Sequence, residues 1–177
     1  MLDSRLRGND KVICMNMLDL LKLLAKSEVD FVLVGGLAVA LRGYSRFTVD
    51  VDVVLAMEAE NLAKFIQVAK QAGLKPTIPV PIESLANPDL IEQWYRDKGM
   101  LAFSLRTVDT RPLVLDVLVK PVVPYVDLRK QATLLDIGEL KVAVAAVDHL
   151  ITMKTGTGRS KDQIDIEELR KIQANNE

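Results

Sequence analysis

The sequence predicts a mixed α/β domain in which helices flank a sheet. Two patterns predict it. Short, β-branched apolar runs such as "VDFVLVG" and "VDVDVVLA" alternate with longer segments of helical periodicity. Two further pairs of apolar runs, each folded about a polar turn, read as hairpins. The 177 residues, 49% of them hydrophobic, suffice for one domain with a sizeable core.

Each element has its own signal. Asn16 is a helix cap, and the leucine-rich "MLDLLKLLAKS" after it ends in lysine as a helix would. A buried strand is expected at about 29–34, ended by Gly35 and Gly36. "LAVALRG" suits a short helix closed by Gly43, and "VDVDVVLA" a second strand. In "EAENLAKFIQVAKQAG", Leu62, Phe65, Ile66 and Ala69 share one helical face and Gly73 is the stop. "KPTIPVPIESLANPD" holds four prolines and reads as a loop or edge segment. Asn87 and Pro88 then open a helix that Gly99 closes. "MLAFSLR" and "LVLDVLV" form a hairpin about "TVDTRP", and "ATLLDIGELKVAVA" forms another about Gly138. Two helices, "AVDHLITMK" and "SKDQIDIEELRKIQA", end the chain, joined by "TGTGR" and with Ser160 as a cap. The opening "MLDSRLRGNDK" is polar and aperiodic, and resembles read-through of a dispersed bacterial repeat element. Residues 1–14 are therefore expected to be a flexible or over-extended start, and 15–177 a single domain.

Composition excludes several functions. Net charge is −1, so any nucleic-acid contact must be local. A single cysteine, Cys14, rules out an internal disulfide, and a single histidine, His149, argues against a zinc site. No segment has the length of a membrane span and no signal peptide is visible, so the expected location is the cytoplasm.

The chemistry concentrates in three acids. In a strand, side chains alternate faces, so Asp50 and Asp52 project together while Val49, Val51 and Val53 face the other way. Such a pair is either solvated at a strand end or held by a hard cation, for which Mg²⁺ is the common partner of carboxylates and phosphates. Asp116, inside "LVLDVLV", is the third acid; it belongs either to a half-exposed edge strand or to a buried strand beside the first two. In the second case three carboxylates converge as in two-metal phosphoryl transfer. Gly35 and Gly36 serve either as a tight strand–helix turn or as a place where a phosphate approaches the backbone. Trp94 and Tyr95 are read as core, His149 as structural, and "TGTGRSK" lacks the spacing of a P-loop.

"VGGLAVALRGYSRFTVDVDVV" resembles the signature of the nucleotidyltransferase superfamily that shares its catalytic core with DNA polymerase beta. Val34, Gly35 and Gly36 match its first part, Asp50 and Asp52 its acidic pair, and Asp116 its later carboxylate. Downstream, Lys154, Arg159, Lys161, Asp162 and Asp165 are similar to a pattern in small bacterial stand-alone nucleotidyltransferases related to abortive-infection toxins. The resemblance implies a polymerase-beta-like core, a mixed twisted sheet flanked by helices. It implies Mg²⁺-dependent transfer of a nucleoside monophosphate from an NTP to an acceptor hydroxyl of a tRNA, protein or small molecule, with pyrophosphate released. Asp50, Asp52 and Asp116 would be catalytic and bind the metal. Gly35, Gly36, Arg46 and Lys154 would hold the nucleotide, although Arg46 also fits a surface cation and Lys154 a charged helix end. Asp162 and Asp165 would orient Arg159 or solvate the last helix. An antitoxin-like protein partner would accompany a toxin role. The alternative is a non-catalytic nucleotidyltransferase-like binding module. The stretch 76–88 and the helix at 88–98 are the expected acceptor or partner surface.

Overall fold

A computed structural model of the chain describes residues 15–175; the expectation for residues 1–14 lies outside them. Helix α1 (Met17–Lys26) starts with a reciprocal cap: the Asn16 side chain accepts from the Asp19 N–H at 2.9 Å, and the Asp19 carboxylate accepts from the Asn16 N–H. Strand β1 (Phe31–Val34) is buried throughout, which its unbroken apolar run requires. Helix α2 (Gly35–Leu41) begins on the glycines themselves, two residues earlier than the sequence suggests. Strand β2 (Asp50–Leu55) and helix α3 (Ala59–Gln71) follow, with Leu62, Phe65 and Ala69 buried as their spacing predicts.

The proline-rich stretch contributes a two-residue edge strand, β3 (Lys75–Pro76), and one 3-10 turn (Ile82–Ala86). Helix α4 (Pro88–Lys98) has Asn87 as its cap and Gly99 at φ 63° as its stop, the left-handed conformation glycine adopts freely. Strands β4 (Ala102–Arg106) and β5 (Val114–Leu118) form the first hairpin. Helix α5 (Tyr125–Gln131) escapes a sequence reading because it is short and follows Pro121 and Pro124. Strands β6 (Thr133–Ile137) and β7 (Leu140–Val144) form the second hairpin. Helices α6 (Val147–Lys154) and α7 (Ser160–Asn175) pack on each other. Ser160 lies inside α7 and not at a cap. No helix of the described residues is long and apolar enough to cross a membrane.

The strands make one mixed sheet in the order β3-β4-β5-β2-β1-β7-β6. Pairs β2–β5 and β1–β7 are parallel, the rest antiparallel. One face carries Phe31, Leu33, Val51, Val53, Phe103, Leu105, Leu115 and Val117, all buried. On the central strands β4 and β5 the alternate residues Ala102, Ser104, Val114, Asp116 and Leu118 are only half-buried. The sheet is therefore closed by packing on one side and leaves an opening on the other. Val49 lies before β2, not in it, and is exposed, contrary to the alternation expected of it.

Candidate active site

Register brings the three acids together. Strand β5 is internal, between β4 and β2, so Asp116 is not on an edge strand. Asp52 is the direct partner of Asp116 in the parallel β2–β5 pair, and Asp50 lies two residues along on the same face. Ser104 on β4 stands opposite Asp116. The three acids, but not Ser104, floor a cavity of about 430 Å³, within the range of small-molecule sites. Gly35, Gly36, Arg46 and Lys154 line the same cavity.

The glycines have a steric reason that the sequence does not reveal. Val34 pairs with Asp52, so the chain turns into α2 directly beside the Asp52 side chain. A Cβ on Gly35 would stand 1.9 Å from Asp52 Oδ2, and Gly35 has φ 66°. A Cβ on Gly36 would stand 2.3 Å from Arg46 Nη2 and 2.8 Å from Thr48 Oγ1. The room beside the two glycines is taken by the carboxylate of Asp52 and the guanidinium of Arg46.

Behind the cavity lies a buried network of charge. Lys154 ends α6, but its side chain turns inward and is 9% exposed. Its Nζ lies 2.9 Å from Asp162 Oδ1 and 2.8 Å from Asp165 Oδ2. Asp165 Oδ1 lies 3.2 Å from Arg46 Nε. The Thr157 hydroxyl donates to Asp162 Oδ2 at 2.8 Å. Asp162 and Asp165 thus serve Lys154 and Arg46, and Asp165 is fully buried; neither merely solvates the last helix. Burial raises the Asp162 carboxyl, yet the hydrogen bonds from Lys154 and Thr157 outweigh it and hold the group below its ordinary range.

No family profile matches the chain, and no curated protein sequence matches it. Two solved structures share its architecture. The lincosamide antibiotic adenylyltransferase LnuA, bound to lincomycin, is similar over 86% of this chain and 92% of its own, with a TM-score of 0.56 and 16% identity. An antigenic nucleotidyltransferase-like protein from Paracoccidioides brasiliensis is similar over 88% of this chain and 72% of its own, with a TM-score of 0.52 and 19% identity. The fold is that of the nucleotidyltransferases.

Within this nucleotidyltransferase fold the three carboxylates share one face without forming a closed cage. Burial, then the neighbouring charges of Asp116 and Asp50, push the Asp52 carboxyl up to about 6; the Gly36 N–H and Lys154 offset part of this. Asp116 Oδ1 is buried and has no hydrogen-bond partner. A hard divalent cation would suit such a set of oxygen donors, whose repulsion Lys154 offsets only in part. Among the described residues, no three His, Cys, Asp or Glu side chains are gathered tightly enough to ligate one ion, so the acids line the floor without enclosing a centre.

Several residues singled out in the sequence lie outside this cavity. Residues 76–98 do not line the cavity. Its outer wall is instead an apolar rim of Phe47, Val49, Leu101 and Val122, each more than half exposed. No periodicity marks these residues, since all four lie in loops. Trp94 packs against the core and stacks on Phe103 at 6.3 Å, but Tyr95 is exposed, with the Lys120 ammonium 5.3 Å above its ring. His149 does not line the cavity.

Proposed function

We propose that this protein is a Mg²⁺-dependent nucleotidyltransferase that moves a nucleoside monophosphate from an NTP to a hydroxyl of a small-molecule acceptor. The observation that carries the reading is the in-register pairing of Asp52 with Asp116 on the floor of one cavity. Asp50, Asp52 and Asp116 would hold Mg²⁺, which when bound offsets the negative charge of the reacting phosphates. Arg46 and Lys154 supply positive charge beside the carboxylates and hold the triphosphate. Gly35 and Gly36 contribute by leaving room for Asp52 and Arg46. Asp116 accepts the proton of the acceptor hydroxyl. That oxygen bonds to the α-phosphorus, the bond from the α-phosphorus to the bridging oxygen breaks, and pyrophosphate leaves with the electron pair.

Two features support a small acceptor. LnuA, named for adenylylation of an antibiotic, is covered by this chain over 92% of its length, so a chain of this size accommodates such an acceptor. The apolar rim of Phe47, Val49, Leu101 and Val122 suits a molecule with an apolar face. The resemblance to abortive-infection relatives points instead to a toxin acting on tRNA or protein with an antitoxin-like partner, and the same experiment separates the two. The full chain is incubated with Mg²⁺, each α-labelled NTP, and in turn lincomycin and other hydroxylated antibiotics, total tRNA, and lysate protein. Label on a small molecule is the expected result. Label on tRNA or protein alone overturns the small-acceptor reading in favour of the toxin. No label on any acceptor with any NTP overturns nucleotidyl transfer.

A further inference from the structure

We propose that Asp165 is a positioning residue that gathers Arg46 and Lys154 into one phosphate-binding unit at the edge of the acidic floor. The proposal rests on the reading that a triphosphate occupies this cavity. Arg46 comes from the loop before β2 and Lys154 from the end of α6, so nothing in the sequence holds them together. Both are long side chains that lose much rotamer freedom when fixed. Asp165, on α7, reaches both: Oδ1 to Arg46 Nε at 3.2 Å and Oδ2 to Lys154 Nζ at 2.8 Å. Its side chain is 1% exposed, and a carboxylate buried that deeply requires compensating charge. With Asp162 as the second acid, two anions balance two cations, and the group is neutral as a whole.

The donor count shows what the clamp leaves free. A guanidinium has five N–H groups, and Asp165 faces the one on Nε. Its terminal nitrogens lie over the start of α2, where Nη2 occupies the room that a Gly36 side chain would need. An ammonium has three N–H groups; Lys154 donates one to Asp162 and lies 2.8 Å from Asp165 Oδ2 without an aligned hydrogen bond. The others are left for the cavity that Lys154 lines. Neither Arg46 Nε nor Asp165 Oδ2 is aligned as a hydrogen bond. The contacts of Asp165 are therefore coulombic: it tethers both cations without taking up their N–H groups, while Asp162 holds Lys154 by a hydrogen bond.

Calorimetric titration of the full chain with Mg²⁺ and either inorganic triphosphate or ATP tests this, below the melting temperature of every variant used. Asp165→Asn should weaken binding of both probes at least tenfold. In an Arg46→Gln, Lys154→Gln background the same change should alter affinity less than twofold, because its effect passes through those two residues. A merely structural role would not make the loss depend on the two cations. Should Asp165→Asn not fold, Asp165→Glu decides: it keeps the charge, moves it by one methylene, and should weaken both probes several-fold. Wild-type affinity in the folded Asp165 variant, or an undiminished loss in the double background, overturns the clamp. Failure of the wild type to bind either probe overturns the nucleotide reading instead.

Discussion

Replacing Asp52 by Asn should stabilise the metal-free protein and abolish transfer. A carboxyl held at about 6 against an ordinary 3.8 is disfavoured in its ionised form by roughly 3 kcal/mol once fully charged. The cause is burial first, then repulsion from Asp116 and Asp50. That penalty is already net of the Gly36 N–H, and an amide of the same size removes the charge but keeps an acceptor, so most of it should be recovered. The net expectation near pH 7.5 is a gain of about 2 kcal/mol, or roughly 4–8 °C in melting temperature for a chain of this length. The sign follows from linkage. Because the folded-state value is raised, the wild type binds more protons folded than unfolded between 3.8 and about 6, and its stability falls as pH rises through that window. The gain from Asn should therefore be near zero at pH 4 and reach its plateau above pH 7. Thermal unfolding in EDTA at pH 4, 5.5 and 7.5 measures it. With Mg²⁺ and an NTP, the wild type should gain melting temperature by mass action and the variant much less. A destabilised variant at pH 7.5, or a gain independent of pH, would refute the account of Asp52.

Two further substitutions probe the structure around it. Gly35→Ala places a methyl group 1.9 Å from Asp52 Oδ2 at φ 66°, and should cost at least about 3 kcal/mol in urea unfolding, of which about 1–2 is backbone strain. Adding Asp52→Ala should recover the steric part and leave the strain. Lys154→Met leaves Asp162 and Asp165 without their shared ammonium and should cost about 3–5 kcal/mol at pH 7. That loss should shrink as pH falls toward 3.8, the ordinary value for Asp162, and a loss that stays constant down to that pH would count against it.

The elements with local signals were legible in the sequence. Asn16, Asn87 and Gly99 mark helix ends by backbone chemistry that acts within four residues, and the structure places the caps and the stop there. Apolar neighbours put Asp50, Asp52 and Asp116 on strands but left Asp116 open between an edge and an inner strand, and the register pairs it with Asp52. Short elements and long-range contacts were not legible. Helix α5 has seven residues and no side-chain cap, so its propensity is outweighed by the prolines before it. Tyr95 sits in a helix whose neighbour Trp94 does pack inward, and composition alone does not say which face turns to water. The pairing of Arg46 with Asp165 spans more than a hundred positions, and no spacing rule reaches that far. Lys154 reads as an ordinary cation at a helix end, because burial is a property of what α7 brings to it.

The Gly-Gly corner and the Asp-x-Asp pair form one steric unit, though fourteen residues part Gly35 from Asp50. Antiparallel pairing sets Val34 against Asp52, so whatever follows Val34 must share space with the Asp52 carboxylate. Gly35 can do so because it has no side chain and accepts φ 66°. The intervening α2 and its loop return the chain to β2 and deliver Arg46 over Gly36 on the way. The first residues of that loop are anchored themselves: Arg42 donates to the carbonyls of Val144 and Ala145, and Tyr44 packs against the core. Extra residues between 46 and 50 would change the distance from Arg46 to β2 and pull its guanidinium away from both Gly36 and Asp165. The loop is therefore held at its start by contacts with the sheet and the core, and at its end by the placement of Arg46. An insertion series across 42–50 should cost stability at its first positions, where Arg42 and Tyr44 are anchored, and lower triphosphate affinity most sharply at its last. Equal sensitivity along the whole loop would show that the loop, not the placement of Arg46, is what the site requires.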